Sequence, residues 1–186
     1  MEFYTAGHLT LIIGPMYSGK STKIINCIRK FKSIDKKMIV VKHILDNRYA
    51  DNHISSHNLD KEPCVCINDL NSIFNFDDYE KSKIIIIEEA QFFDNLITPI
   101  KKMTDLDKKI VIVSGLNGDS DRKVFGDILN LIPFTDNIDF CTSLCKICSN
   151  GTPGIFSKKI VNDDKQILVG SNESYISVCR NHYIEK

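Results

Sequence analysis

Gly14, Gly19, Lys20 and Ser21 fall in the pattern G-x-x-x-x-G-K-[ST], inside the stretch LTLIIGPMYSGKST from Leu9 to Thr22. Glycines at this spacing let the backbone turn tightly enough for successive N–H groups to point inward. The lysine then brings a point charge to the β- and γ-phosphates, and the serine hydroxyl is a ligand for Mg2+. A strand-to-helix turn built only for shape has no need of Lys and Ser beside the second glycine. Gly14, Pro15, Met16, Tyr17, Ser18, Gly19, Lys20, Ser21 and Thr22 are therefore assigned to a nucleoside triphosphate, read as ATP.

The stretch KIIIIEEAQFFDN offers a second chemistry. A β-branched run, Ile84 to Ile87, ends in two adjacent carboxylates, and side chains at successive strand positions point opposite ways. Glu88 can face a metal, as the acid at the end of a neighbouring strand does in P-loop proteins, while Glu89 faces whatever receives the phosphate. One acid for Mg2+ and one for an acceptor hydroxyl is the logic of a kinase.

A third cluster is Cys145-x-x-Cys148 with Cys179-x-x-His182. Each pair suits a tight turn, and four such ligands suit a tetrahedral Zn2+ with no open position, hence a structural ion. Cys141 is a looser competitor for a ligand position. Cys64 and Cys66, two apart in a strand-like stretch, would share a face as interior thiols, and Cys27 lies on an apolar helix stripe. His43, His53 and His57 stand in a polar loop without metal-like partners.

These groups need a frame to hold them. Leu9 to Ile13 reads as a strand buried on both faces, followed by a helix whose stripe is Ile24, Cys27, Ile28 and Phe31. A second strand is expected at Met38 to Val41, a polar loop over His43 to Glu62, and a helix around Leu96, Ile100 and Met103. A further strand is expected at Ile110 to Val113, then a short helix or turn in FGDILNLIPF closed by Pro133. Alternating strand and helix implies an α/β fold with a parallel sheet covered on both faces. The texture changes beyond Cys141, with short strand-like pieces at Gln166 to Val169 and Tyr175 to Val178. A boundary is expected near Phe140, dividing a P-loop core, 1–140, from a small zinc-binding domain, 141–186.

Composition narrows the partners. The 186 residues carry 24 Lys plus Arg against 24 Asp plus Glu, so no global basic field favours nucleic acid or a membrane surface. The first residues, MEFYTAGH, do not form a basic and apolar leader, and no apolar run approaches a membrane span, so a cytoplasmic location is expected. Seven cysteines, an odd count, fit reduced thiols and metal ligands better than a disulfide framework.

Together GPMYSGKST, DNRY (Asp46 to Tyr49), EEAQFF and the paired Cys motifs resemble the type II thymidine kinases, from about Leu9 to Tyr183. The resemblance implies a RecA-like P-loop core with a C-terminal zinc-binding domain whose lasso loop closes over thymine. It also implies transfer of the ATP γ-phosphate to the 5′-hydroxyl of thymidine, and a homotetramer. On this resemblance Glu89 is the catalytic base, Glu88 the metal-side acid, and Arg48 the arginine near phosphates and sugar. Met16, Phe92 with Phe93, Leu116 and Phe125 line the nucleoside site, and Tyr175 is the lasso tyrosine. Backbone groups around Ser157, Leu168 and Val169 read the base edge. The chain departs from the family with Glu88 where Asp is usual, Ser120 where an aromatic is usual, and a longer stretch at Ser149 to Ser157.

The rival reading is a P-loop ATPase with a nucleic-acid-binding zinc ribbon, in which Glu89 activates water. Zero net charge, the lack of basic and aromatic interleaving in the Cys-rich part, and a short core count against it. A non-catalytic nucleotide-binding module fits poorly with the intact set of Lys20, Ser21 and Glu89.

Overall fold

The computed structural model describes residues 6–46, 52–56, 60–161 and 174–185. In chain order its elements begin with β1 (His8–Gly14), α1 (Lys20–Lys32), β2 (Met38–His43), β3 (His53–Ser55), β4 (Lys61–Pro63), β5 (Val65–Ile67) and β6 (Ile84–Glu88). Then come α2 (Ile97–Lys101), β7 (Ile110–Leu116), β8 (Asn137–Phe140), β9 (Ser143–Leu144), β10 (Pro153–Gly154), β11 (Phe156–Lys159), β12 (Tyr175–Val178) and α3 (Arg180–Ile184). Turns of 3-10 helix occupy Leu70–Asn75, Ala90–Phe92 and Ile128–Phe134, and α2 continues into a π-helical turn, Lys102–Leu106.

Six strands form one parallel sheet in the order β5-β2-β6-β7-β1-β8. The alternation of the strands sorts their side chains into two cores. Leu9, Leu11 and Ile13 of β1, Ile85 and Ile87 of β6, and Val111 and Val113 of β7 pack with Phe93, Leu96, Ile100 and Met103 on one face. Ile12, Ile84, Ile86 and Ile112 pack with Ile24, Ile25 and Ile28 of α1 on the other. Burying both faces is what an all-parallel sheet requires, so its strands read as unbroken apolar runs.

Several expectations are revised. The acid-bearing β6 is not beside β1, because β7 lies between them. The polar stretch from His43 to Glu62 contains an antiparallel pair, β3 with β4, whose Ile54 packs under α1. Arg29 and Lys32 of α1 bind Glu62 of β4 at 3.1 and 2.6 Å, which fixes the pair to the helix. Pro133 lies inside its helical turn rather than closing it. Cys64 is buried, and burial pushes its thiol up to about 12, whereas Cys66 is only half-buried.

The C-terminal part is two small hairpins, β9 with β10 and β11 with β12. They leave the sheet at Cys141, whose N–H donates to Ile13 O at 2.7 Å. A Cβ on Gly14 would come within 2.2 Å of Cys141 O, so glycine is needed there for close approach.

Candidate active site

In an open parallel sheet ligands bind at the carboxyl ends of the strands. Here those ends bring together Gly14 of β1, Glu88 of β6 and Leu116 of β7. The loop from Pro15 to Gly19 turns through left-handed conformations at Tyr17 (φ 61°) and Gly19 (φ 80°). α1 starts without a side-chain cap and without an acid in its first turn, leaving its positive end for an anion. Lys20 is buried, with Nζ donating to Pro15 O at 2.8 Å, and Ser18 Oγ donates to the same carbonyl at 2.8 Å.

Alternation along β6 sends Glu88 to the same face as Ile84 and Ile86, which is the face of α1. There the Ser21 hydroxyl donates to Glu88 Oε1. On the same side of β7, Ser114 Oγ is buried without a hydrogen-bond partner among the described residues. A hydroxyl, a carboxylate and an orphaned buried hydroxyl are hard oxygen groups, the donor chemistry that Mg2+ prefers.

Glu89 leaves the strand in a left-handed conformation (φ 51°, ψ 44°), uncommon for a residue with a side chain. Its Oε2 accepts a hydrogen bond from Gln91 Nε2 at 2.5 Å. The aromatic pair that follows divides. Phe93 is buried edge-on against His43, with centroids 4.8 Å apart, while Phe92 is half-buried and stands edge-on to Phe125 at 5.5 Å. Burial lowers the pKa of His43, which favours its neutral form among these rings. Leu116 at the end of β7 and Phe125 on the loop that runs on to the Ile128–Phe134 turn are both half-buried. Asp119 organises that loop by accepting from the N–H groups of Asp121 and Lys123 at 2.9 and 2.8 Å.

The hairpin of β11 and β12 closes the other side. Ser157 and Ser177 are directly opposite on its ladder, and both are buried. Ser157 Oγ accepts the Met16 N–H at 3.0 Å, and Ser177 Oγ donates to Met16 O at 2.5 Å. One residue of the phosphate loop is thus held at both its backbone groups. Tyr175 is buried at the start of β12. Loop 117–122 and β11 enclose a cleft of about 170 Å3 that includes Asp119, Arg122 and Ser157. Tyr183 Oη donates to Ser120 O at 2.7 Å, tying α3 to the same loop.

Below the hairpins, Cys145, Cys148, Cys179 and His182 converge, with all four ligand atoms within 4.8 Å of one another. His182 Nδ1 stands 3.5, 3.3 and 3.4 Å from the three sulfurs in turn, and Cys148 Sγ is 3.8 Å from Cys179 Sγ. Tetrahedral zinc with bonds of about 2.3 Å to sulfur and about 2.0 Å to nitrogen separates sulfurs by about 3.8 Å and sulfur from nitrogen by about 3.5 Å. The donor set therefore fits Zn2+. His182 Nε2 stands 3.9 Å from Glu185 Oε2, beyond hydrogen-bond reach. Burial opposes ionisation of Cys145, but N–H groups of Cys148, Cys179 and Ile147 together with the His182 ring outweigh it, bringing the thiol down to about 6.

A family model for thymidine kinase matches residues 7–183. The chain belongs to the thymidine kinase family. It is 38% identical to thymidine kinase a of Arabidopsis thaliana, over 99% of this chain and 78% of that protein. The thymidine kinase of rice, Oryza sativa subsp. japonica, is 34% identical over 96% and 67% of the two chains. That of vaccinia virus strain Western Reserve is 36% identical over 96% and 98%.

Among the residues expected at the site, Arg48, Leu168 and Val169 lie outside the described residues, as does the strand-like piece at Gln166. Other groups at the site carried no signal in their spacing. Lys42, opposite Glu88 in the register of β2 and β6, is buried with Nζ donating to Asp46 O at 2.8 Å and standing 3.5 Å from Asp46 Oδ2. Gln91, Ser114 and Ser177 are of the same kind, since only the fold shows what they reach. Gln91 lay within the quoted EEAQFF, but its carboxamide has no motif of its own.

Proposed function

We propose that the chain transfers the γ-phosphoryl group of ATP to the 5′-hydroxyl of thymidine, giving thymidine monophosphate. The observation that carries this reading is the division between adjacent acids: Glu88 turns to Ser21 under the phosphate loop and Glu89 turns to the side of Gln91. In a loose phosphoryl-transfer transition state the protein's part is positioning and charge stabilisation. Lys20 and backbone N–H groups between Tyr17 and Thr22 hold the phosphates, and Ser21 with Glu88 would hold Mg2+, which supplies charge neutralisation when bound. Glu89 orients the attacking hydroxyl and takes its proton. Arg48 is assigned to the phosphates and sugar, and Met16, Phe92, Leu116, Phe125, Ser157, Leu168, Val169 and Tyr175 are assigned to the nucleoside.

Cys145, Cys148, Cys179 and His182 hold a structural Zn2+ at the base of the lasso. On this reading the chain divides into a nucleotide-binding core, 1–140, and a zinc-binding lasso part, 141–186. A homotetramer is part of the proposal, supported by exposed apolar side chains on and beside the edge strand β8, including Ile138, Phe140 and Phe134. A reducing, cytoplasmic location is supported by seven cysteines of which none is in a disulfide. No helix among the described residues is long and apolar enough to cross a membrane. Family membership does not favour the rival ATPase reading.

Incubation with ATP, Mg2+ and each nucleoside separately tests the proposal. Thymidine monophosphate is the expected product, and ATP hydrolysis without a phosphorylated nucleoside would refute it.

A further inference from the structure

Gln91 is 2% exposed, yet its carboxamide is engaged at both ends. Nε2 donates to Glu89 Oε2 at 2.5 Å, and Oε1 accepts the N–H of Leu116 at 3.1 Å. The backbone around it is shaped to admit it. A Cβ on Gly115 would fall 2.4 Å from Gln91 Oε1, and one on Gly126 would fall 2.2 Å from Gln91 O. Gly115 near the end of β7 and Gly126 on the loop before the Ile128–Phe134 turn thus make room for one glutamine. Gly126 also has a positive φ of 61°, so a side chain there would be strained as well as crowded.

From this geometry we infer that Gln91 is a positioning residue that sets the rotamer of the base Glu89 and links it to the end of β7 at Leu116, from which the loop with Phe125 departs. The inference rests on the proposed role of Glu89. A primary carboxamide of this length does both tasks, whereas a carboxylate has no donor for Glu89 and a thioether has neither donor nor strong acceptor. The left-handed turn at Glu89 takes its carboxylate out of the strand's regular direction, so Gln91 supplies an anchor where the ladder no longer does. A nucleoside that moves the 116–125 loop would move Oε1 of Gln91, and through it the base. Substrate binding and base orientation are coupled through one side chain.

The test compares Gln91→Met, Gln91→Glu, Glu89→Gln and the double variant Glu89→Gln/Gln91→Met, each checked first for an unchanged thermal midpoint and zinc content. Gln91→Met should lower kcat about ten- to hundredfold, the scale of a misplaced reacting group, with the KM for ATP unchanged. Because Gln91 acts through Glu89, the double variant should be no slower than Glu89→Gln alone, a strongly non-additive cycle. Gln91→Glu keeps the acceptor for Leu116, so it should lower kcat while leaving the thymidine KM near wild type. Gln91→Met should raise that KM severalfold. Multiplicative loss in the double variant, or Gln91→Met within about twofold of wild-type kcat, would overturn the inference. Wild-type protein that makes no thymidine monophosphate would end the functional reading itself. Active wild type with a multiplicative double variant would end only the link through Gln91.

Discussion

Replacing Ser157 and Ser177 together by alanine removes both hydrogen bonds that fix Met16 to the β11–β12 hairpin. Each such bond contributes a net of about 0.5–1.5 kcal/mol, so the pair holds the phosphate loop by about 1–3 kcal/mol. At 1.36 kcal/mol per factor of ten, that is about 5- to 150-fold in the balance between docked and undocked loop. Apparent affinity falls by the fraction of binding-competent protein, so the weakening of ATP binding has that factor as its ceiling. A loss of about 2 kcal/mol should also lower the thermal midpoint by roughly 4–8 °C for a chain of this size. The assay is titration of each protein with MgATP, followed calorimetrically, with Ser149→Ala as control. Ser149 is exposed, and its hydroxyl donates within its own turn to Lys146 O. The double variant should weaken ATP binding severalfold or more, each single variant less, and Ser149→Ala not at all. Affinity within twofold of wild type in a double variant that keeps its zinc would refute the view that the hairpin shapes the phosphate loop.

Lys20→Met removes a buried point charge while filling similar volume, so turnover should vanish with the fold intact, as near-ultraviolet circular dichroism would report. Purified protein should carry about one Zn2+ per chain, and Cys148→Ser should release it and raise the KM for thymidine and for ATP together, because the hairpin that grips Met16 lies beside the cluster. Glu89→Gln should lower kcat by about 10²–10⁴ with ATP affinity kept, whereas Glu88→Gln should lose activity that higher Mg2+ partly restores; the opposite pattern in Mg2+ titrations would reverse the two roles. Glu62 is held below the ordinary carboxylate range: burial raises its pKa, but hydrogen bonds from Lys32 and Arg29 outweigh that. Its stabilisation is therefore present above the unfolded pKa and lost as pH falls through the folded one, so Glu62→Gln should lower the melting temperature near neutrality and match wild type in strong acid.

What could be read from the chain divides along physical lines. Strands buried on both faces, such as Ile84–Ile87 and Ile110–Val113, announce themselves because every position is apolar. The phosphate loop and the Cys145, Cys148, Cys179 and His182 pairs are legible because their chemistry constrains residues close in sequence. β8 was not legible: it is an edge strand, with only Asp139 half-buried, so no periodic pattern distinguishes it from a polar connection. β3, β4 and β5 are three residues long, too short for alternation to stand out. Insertion of β7 between β1 and β6 depends on strand order, to which local pattern is blind. Gln91, Lys42 and the two serines matter through partners supplied by the fold, and a glutamine or serine by itself carries no signal of what it will meet.

The grip on Met16 also orders events in time. Its partners lie 141 and 161 residues downstream, so while the chain is being made the phosphate loop has no hairpin to close against until Ser177 has emerged. β1 meets a similar delay, because its two sheet neighbours, β7 and β8, begin at Ile110 and Asn137. β1 thus emerges well before it can be enclosed, and its apolar run stays open to solvent and to chaperones until β7 and β8 have followed it. Pairings this distant fold slowly and expose nascent chains to aggregation. A nascent chain stalled before Ser177 should carry the complete glycine and lysine signature and still lack the closed loop that binds nucleotide tightly.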